Sequence, residues 1–160
     1  WRYDIIEAGF KCNMTDIMAS IGLVELERYA DTLERRKQIV SNYNTAFEKY
    51  PWAELPEFIS DWRESSYHLY PIRIKNCTEK QRDAIMQKMF DADIAVNVHF
   101  IPVPMFSFYT KLGYSLQHYP KAKDNYEREI SLPLFYNLTD EQQQFVIDNL
   151  IKAVNETLAG

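Results

Sequence analysis

Two Thr-x-x-Gln motifs constrain the fold of this chain more than any other feature, because each one marks the start of a helix. In such a capping box, the threonine and glutamine side chains satisfy free backbone groups in the first helical turn. Thr78–Gln81 and Thr139–Gln142 are both followed by apolar residues at helical spacing. Short alternating or β-branched segments, which are typical of strands, lie between them. The pattern predicts a mixed α/β (α+β) domain.

The N-terminal part is predicted to be helical. Apolar residues recur at helical spacing over 14–50, as one long bent helix or as two helices in sequence. Asn13 or Thr15 is the candidate N-cap, and Pro51 ends the helical run. We expect these helices to cover the surface of another domain or of a partner chain.

A three- to four-stranded small sheet is predicted in the remainder, with strands at 67–75, 94–98 and 129–134. Pro71 suggests either an edge strand or a position whose N–H is not needed in the ladder. Further short helices are expected at 105–112 and 120–128. The whole chain, 1–160, is interpreted as a single domain. Its parts are a helical segment, 1–50, and a small α/β domain, 51–160.

Composition excludes several classes of protein. The formal charge is −5, which disfavours nucleic acid as a partner, because domains that bind a phosphate backbone are usually basic. No apolar run approaches the ~20 residues that a membrane span requires, and the start of the sequence resembles no signal peptide. We therefore expect a cytoplasmic protein without a membrane partner. Because Trp1 is not a methionine, the chain is interpreted as part of a longer protein.

No self-contained catalytic site is expected. The four glycines lie too far apart in sequence to form a phosphate-binding loop. Cys12 and Cys77 cannot form a four-ligand zinc site alone, so no metal site is predicted. Neither a serine nor a cysteine nucleophile motif accompanies the three histidines.

Three residues remain as candidates for binding. His99 follows a β-branched segment and precedes two prolines, a position that suits a pocket wall, although a buried structural histidine with one hydrogen bond is the commoner case. Lys11 and Asn13 precede a predicted helix, whose N-terminus favours a phosphate. Simple capping by Asn13 is the alternative.

Seven segments, taken in order, resemble the DegT/StrS-type sugar-nucleotide aminotransferases. The first and longest is GFKCNMTDIMASIGL at 9–23. The others are SYHLYPIR at 66–73, VHFIP at 98–102, YTKLGY at 109–114, YPKA at 119–122, EISLPL at 129–134 and LTDEQ at 138–142.

The resemblance implies the C-terminal small domain of a fold-type I enzyme that depends on pyridoxal 5'-phosphate (PLP). Such enzymes are homodimers that transfer an amino group, usually from L-glutamate, to a nucleotide-linked keto-sugar. The Schiff-base lysine would lie upstream, so the catalytic set would be absent here and the fragment inactive alone. Asn13 first, and Lys11 second, would contact the cofactor phosphate of the other subunit, and His99 would face the sugar nucleotide. The KCNMTD version at 11–16 most resembles enzymes that aminate the 4-position of a UDP-sugar.

Some positions depart from the family pattern, and other functions remain open. Many members have arginine at the position of Asn13, and histidine where Pro104 and Phe135–Tyr136 stand. A stand-alone, non-catalytic binding or dimerisation module with the same fold is the alternative function. A third hypothesis is a family member with a different keto substrate, such as a cyclitol.

Overall fold

The computed structural model describes residues 2–159, so Trp1 and Gly160 lie outside the described part. Small antiparallel sheets and flanking helices make up the fold. The helices are α1 (Asp16–Glu27), α2 (Tyr29–Phe47), α3 (Glu79–Asp91), α4 (Ser107–Lys111), α5 (Pro120–Arg128) and α6 (Asp140–Leu158). The strands are β1 (Ala53–Glu54), β2 (Ile59–Ser60), β3 (Arg63–Glu64), β4 (Tyr70–Ile74) and β5 (Glu129–Leu132).

Both predicted capping boxes are confirmed. In α3 the Thr78 hydroxyl accepts the Gln81 N–H at 3.3 Å, and the Gln81 side chain accepts the Thr78 N–H at 3.0 Å. The same reciprocal pair joins Thr139 and Gln142 at the start of α6. Local sequence alone therefore sets the beginning of the two helices that cover the sheet.

The N-terminal helical segment consists of two helices that meet at Arg28. None of the residues of α1 is buried, whereas α2 buries Ile39, Val40, Tyr43 and Phe47 in the core. The expectation that these helices cover another domain or a partner chain is therefore wrong for the C-terminal half of α2, which this chain itself covers, and stays a prediction for α1. The apolar stripe of α2 continues to its C-terminal end, where the sheet and α6 cover it.

The main sheet has the order β1-β4-β5, and both pairings are antiparallel. Pro71 lies in the central strand rather than at an edge, opposite Ser131. The N–H and C=O of Ser131 both bond to Asn97 on its other side. Pro71 therefore occupies a position where the ladder does not need an N–H, the second of the two alternatives predicted for it.

All three predicted strands differ from the observed structure, and the one predicted at 129–134 ends at Leu132, before Pro133. Strand β4 begins at Tyr70 rather than at 67, because Tyr67 has a φ of 52°, which is incompatible with a strand. The strand predicted at 94–98 is wrong, since only Asn97 forms a bridge, to Ser131. The next N–H that could continue this ladder, that of His99, donates instead to the Glu129 side chain at 2.9 Å, so the ladder ends there.

The core lies between the main sheet and the helices α2, α3 and α6. Arg82, in α3, is among the largest fully buried side chains and is charged. Its guanidinium donates to the Tyr126 carbonyl at 2.7 Å and lies 4.9 Å from the centre of the Tyr126 ring. Arg82 thereby connects α3 to α5 and to the start of β5.

Candidate functional site

His99 lies in an extended segment that crosses the start of β5. Its backbone N–H donates to Oε2 of Glu129 at 2.9 Å. Two residues earlier, Asn97 exchanges two backbone hydrogen bonds with Ser131, of 2.8 and 3.2 Å. These contacts hold the segment against β5 although it is not itself a strand.

Neighbouring polar groups fix the protonation of the His99 ring. Asn97 Oδ1 accepts the Val98 N–H, which directs the amide nitrogen of Asn97 towards His99 Nε2, 3.3 Å away. Because an amide nitrogen only donates, Nε2 must accept, and the proton of the neutral ring is on Nδ1. Burial, and then the charge of His68, lowers the pKa of His99. The ring is therefore neutral at pH 7.

Nδ1 of His99 is buried and has no hydrogen-bond partner within residues 2–159. The ring borders a cavity of about 210 Å³. This cavity is smaller than typical ligand pockets of roughly 300–1,000 Å³, so it would hold only part of a larger ligand. The lining residues come from the extended segment, α5 and β5, and they are His99, Phe100, Pro102, Ala122, Asn125, Tyr126 and Glu129.

Glu129 is the buried carboxyl group of this site, with only 5% of its surface exposed. Besides the His99 N–H, it accepts the Ser131 hydroxyl at 2.5 Å through Oε1. Burial raises the pKa of Glu129, while the two hydrogen bonds and the positive charge of Arg82 act against that rise. Both carboxyl oxygens are thus committed to neighbouring residues of the same chain.

Lys11 and Asn13 lie in the exposed segment before α1. The N-cap of α1 is Thr15, whose hydroxyl accepts the Met18 N–H at 3.3 Å. The hypothesis that Asn13 simply caps α1 is therefore wrong. Within residues 2–159, the side chains of Lys11 and Asn13 make no hydrogen bond or ion pair. A cation and an amide donor thus stand free beside a helix N-terminus, although Asp16 places a negative charge in the first turn.

The structure anchors the beginning of this segment but does not bring Lys11 or Asn13 to His99. Ile5 accepts the Phe108 N–H at 2.7 Å, and Asp4 accepts the Ser107 N–H at 2.8 Å. After these contacts with α4, every residue from 6 to 21 is exposed. In the described part of the chain, no hydrogen bond joins the two groups of predicted site residues.

Sequence reasoning missed Asn97 and Glu129, which surround His99. A signal for Glu129 was present, because alternation along EISL places Glu129 and Ser131 on one face and Ile130 on the other. Nothing local indicated that this polar face would meet a segment 30 residues away.

Neither a metal cluster nor a membrane-spanning helix is found in residues 2–159. No group of three or more metal-binding side chains of the kind His, Cys, Asp or Glu converges there. None of the helices in that range combines the length and the apolar character that crossing a membrane requires.

The sequence matches the DegT/DnrJ/EryC1/StrS aminotransferase family over residues 1–151, and the chain belongs to this family. The spore coat polysaccharide biosynthesis protein SpsC of Bacillus subtilis is 34% identical over 166 residues, which cover all of this chain and 41% of SpsC. A UDP-4-amino-4,6-dideoxy-N-acetyl-beta-L-altrosamine transaminase of Campylobacter jejuni is 30% identical over 160 residues and has 42% of its length covered. The chain thus spans about two fifths of these relatives.

Solved structures agree with the sequence matches. The apo form of Spr1654 from Streptococcus pneumoniae, a candidate sugar aminotransferase, superposes with a TM-score of 0.87 at 40% identity. The match covers 99% of this chain and 40% of Spr1654. The same protein has been solved in a PLP form and in a pyridoxamine phosphate form. The predicted fold, that of a small domain of a fold-type I aminotransferase, is confirmed, and PLP is the cofactor of the family.

Proposed function

We propose that this chain is the C-terminal part of a PLP-dependent aminotransferase that moves an amino group from L-glutamate to a nucleotide-linked keto-sugar. The observation that carries the proposal is the family match over residues 1–151. The chain spans about two fifths of the length of its relatives. This supports a longer protein, in which an upstream domain supplies the lysine that holds the cofactor.

Asn13 and Lys11 are the residues of this chain that would bind the cofactor phosphate, and in a homodimer they would do so in the other subunit. Their chemistry fits a phosphate, which accepts hydrogen bonds from an amide and attracts a cation. Both side chains are exposed and uncommitted within the described residues, and Thr15 already caps α1. When bound, the cofactor supplies the electron sink for the transfer.

His99 would form part of the wall that holds the sugar nucleotide. Its cavity, its neutral ring and its unsatisfied Nδ1 suit contact with an uncharged, oxygen-rich group such as a sugar. The names of the relatives support an amino-sugar product made for a cell-surface polysaccharide, with a UDP-sugar as the substrate class.

The test uses the intact protein that carries this chain. It is incubated with PLP, L-glutamate and a UDP-linked 4-keto-6-deoxy sugar, and we expect 2-oxoglutarate and an amino sugar in equal amounts. The control is the 160-residue chain alone, which we expect to be inactive. Failure of the intact protein to bind PLP would favour a non-catalytic module, and transfer only to a cyclitol ketone would replace the proposed substrate.

A further inference from the structure

The segment that carries His99 has few backbone anchors of its own. Pro102 and Pro104 cannot donate backbone hydrogen bonds, and the predicted strand at 94–98 does not form. The segment is joined to β5 by the backbone pair of Asn97 with Ser131 and by the bond from the His99 N–H to Glu129. The position of the His99 ring therefore depends on β5.

We propose that Glu129 is the positioning residue that fixes His99 in the wall of the cavity. One carboxyl oxygen accepts the His99 N–H and the other accepts the Ser131 hydroxyl, so a single side chain spans both elements. Ser131 in turn bonds to the backbone of Asn97, whose side chain reaches the His99 ring. Glu129, Ser131, Asn97 and His99 thus form one continuous network.

Burying the Glu129 carboxyl group costs free energy, so a role in packing alone does not explain why this residue is a glutamate. A carboxyl group with 5% exposure loses most of its hydration, whereas an apolar side chain at this position of β5 would pack without that cost. What an apolar residue cannot do is accept two hydrogen bonds from different elements. The two hydrogen bonds that Glu129 accepts therefore fit a role in holding the His99 segment against β5.

The proposal also predicts which chemical property of Glu129 matters. Reach matters, because the side chain must extend from β5 to the His99 N–H. Glutamine has the same reach and can accept that N–H while its amide donates to the Ser131 hydroxyl oxygen. Aspartate keeps the charge but is one methylene shorter, so it cannot meet both partners.

Any effect of Glu129 on substrate binding rests on the proposed function. The test therefore measures the placement of His99 separately from the aminotransferase activity. Glu129→Gln, Glu129→Asp and Glu129→Leu are made in the intact protein, with Glu48→Leu as the control at an exposed position. Amide hydrogen exchange is first measured without cofactor or substrate. We expect exchange at His99 to accelerate about tenfold or more in the Asp and Leu variants and to stay at the wild-type rate in the Gln variant.

Kinetics then test whether this placement serves the sugar. We expect the Asp and Leu variants to raise KM for the UDP-keto-sugar about tenfold, the equivalent of one lost hydrogen bond. The half-reaction with L-glutamate, followed by cofactor absorbance, should be affected less than the half-reaction with the sugar, because His99 is proposed to contact the sugar. In a His99→Ala background, Glu129→Asp has no further effect on KM.

Two results would overturn the role of Glu129. The first is unchanged exchange at His99 in the Asp and Leu variants. The second is an impaired Gln variant beside a normal Asp variant, which would show that the charge matters rather than the reach. An inactive wild-type protein whose variants show the expected exchange would instead refute the proposed function and leave the placement of His99 by Glu129 supported.

Discussion

Asn13 and Thr15 are two residues apart, yet the structure gives them separate tasks that substitution can distinguish. Thr15 caps α1 through its hydroxyl, so Thr15→Ala should lower the free energy of unfolding by about 1 kcal/mol. Asn13 is exposed and bonds to nothing in the described residues, so Asn13→Ala should change that free energy by less than about 0.5 kcal/mol. If Asn13 binds phosphate, however, its loss removes a hydrogen bond to a charged group. Such a bond contributes about 1.5–3 kcal/mol, or roughly 10- to 150-fold in cofactor affinity.

The assay is a titration of the cofactor-free intact protein with pyridoxamine phosphate, beside urea unfolding of the same variants. We expect Asn13→Ala to weaken binding at normal stability and Thr15→Ala to lower stability with a smaller effect on binding. Lys11→Met should weaken binding in a salt-dependent way. Unchanged affinity in Asn13→Ala would refute the assignment of Asn13 to the phosphate.

Three further predictions concern burial. Ile17 in α1 is 74% exposed, so Ile17→Ser should change the unfolding free energy of the 160-residue chain by less than about 0.5 kcal/mol, whereas Ile39→Ala should cost about 2–5 kcal/mol in urea titrations. Burial raises the pKa of Cys77 to about 11, so iodoacetamide at pH 8 should label the exposed Cys12 alone, as peptide mass spectrometry would show. Because burial raises the pKa of Glu129, the folded state binds more protons than the unfolded state just above the ordinary carboxyl pKa, and stability falls as pH rises through that window. Glu129→Gln removes this loss, so its stability relative to wild type should increase from pH 4 to pH 7, and a constant difference would contradict the prediction.

Local patterns determined much of the secondary structure. The capping boxes at Thr78 and Thr139 set the starts of α3 and α6 because their partners lie three residues away. The strand at 129–134 was also predicted, although β5 ends at Leu132, before Pro133, which has no N–H for the ladder. The apolar period also predicted α2, although not that this chain itself covers its C-terminal half. The family resemblance likewise followed from short segments in order.

Tertiary structure decided the surroundings of each candidate residue. The sequence offered Asn13 and Thr15 equally as caps, and only the path of the chain into α1 shows that the threonine hydroxyl reaches the free N–H. The β-branched run at 94–98 indicated a strand, but the N–H of His99, which would extend the ladder, donates to the Glu129 side chain instead. Glu129 meets His99 across 30 residues of sequence. Hydrogen bonds between near neighbours follow from residue type and spacing, whereas contacts between distant residues depend on how the helices and the sheet pack, and that packing is a property of the whole chain.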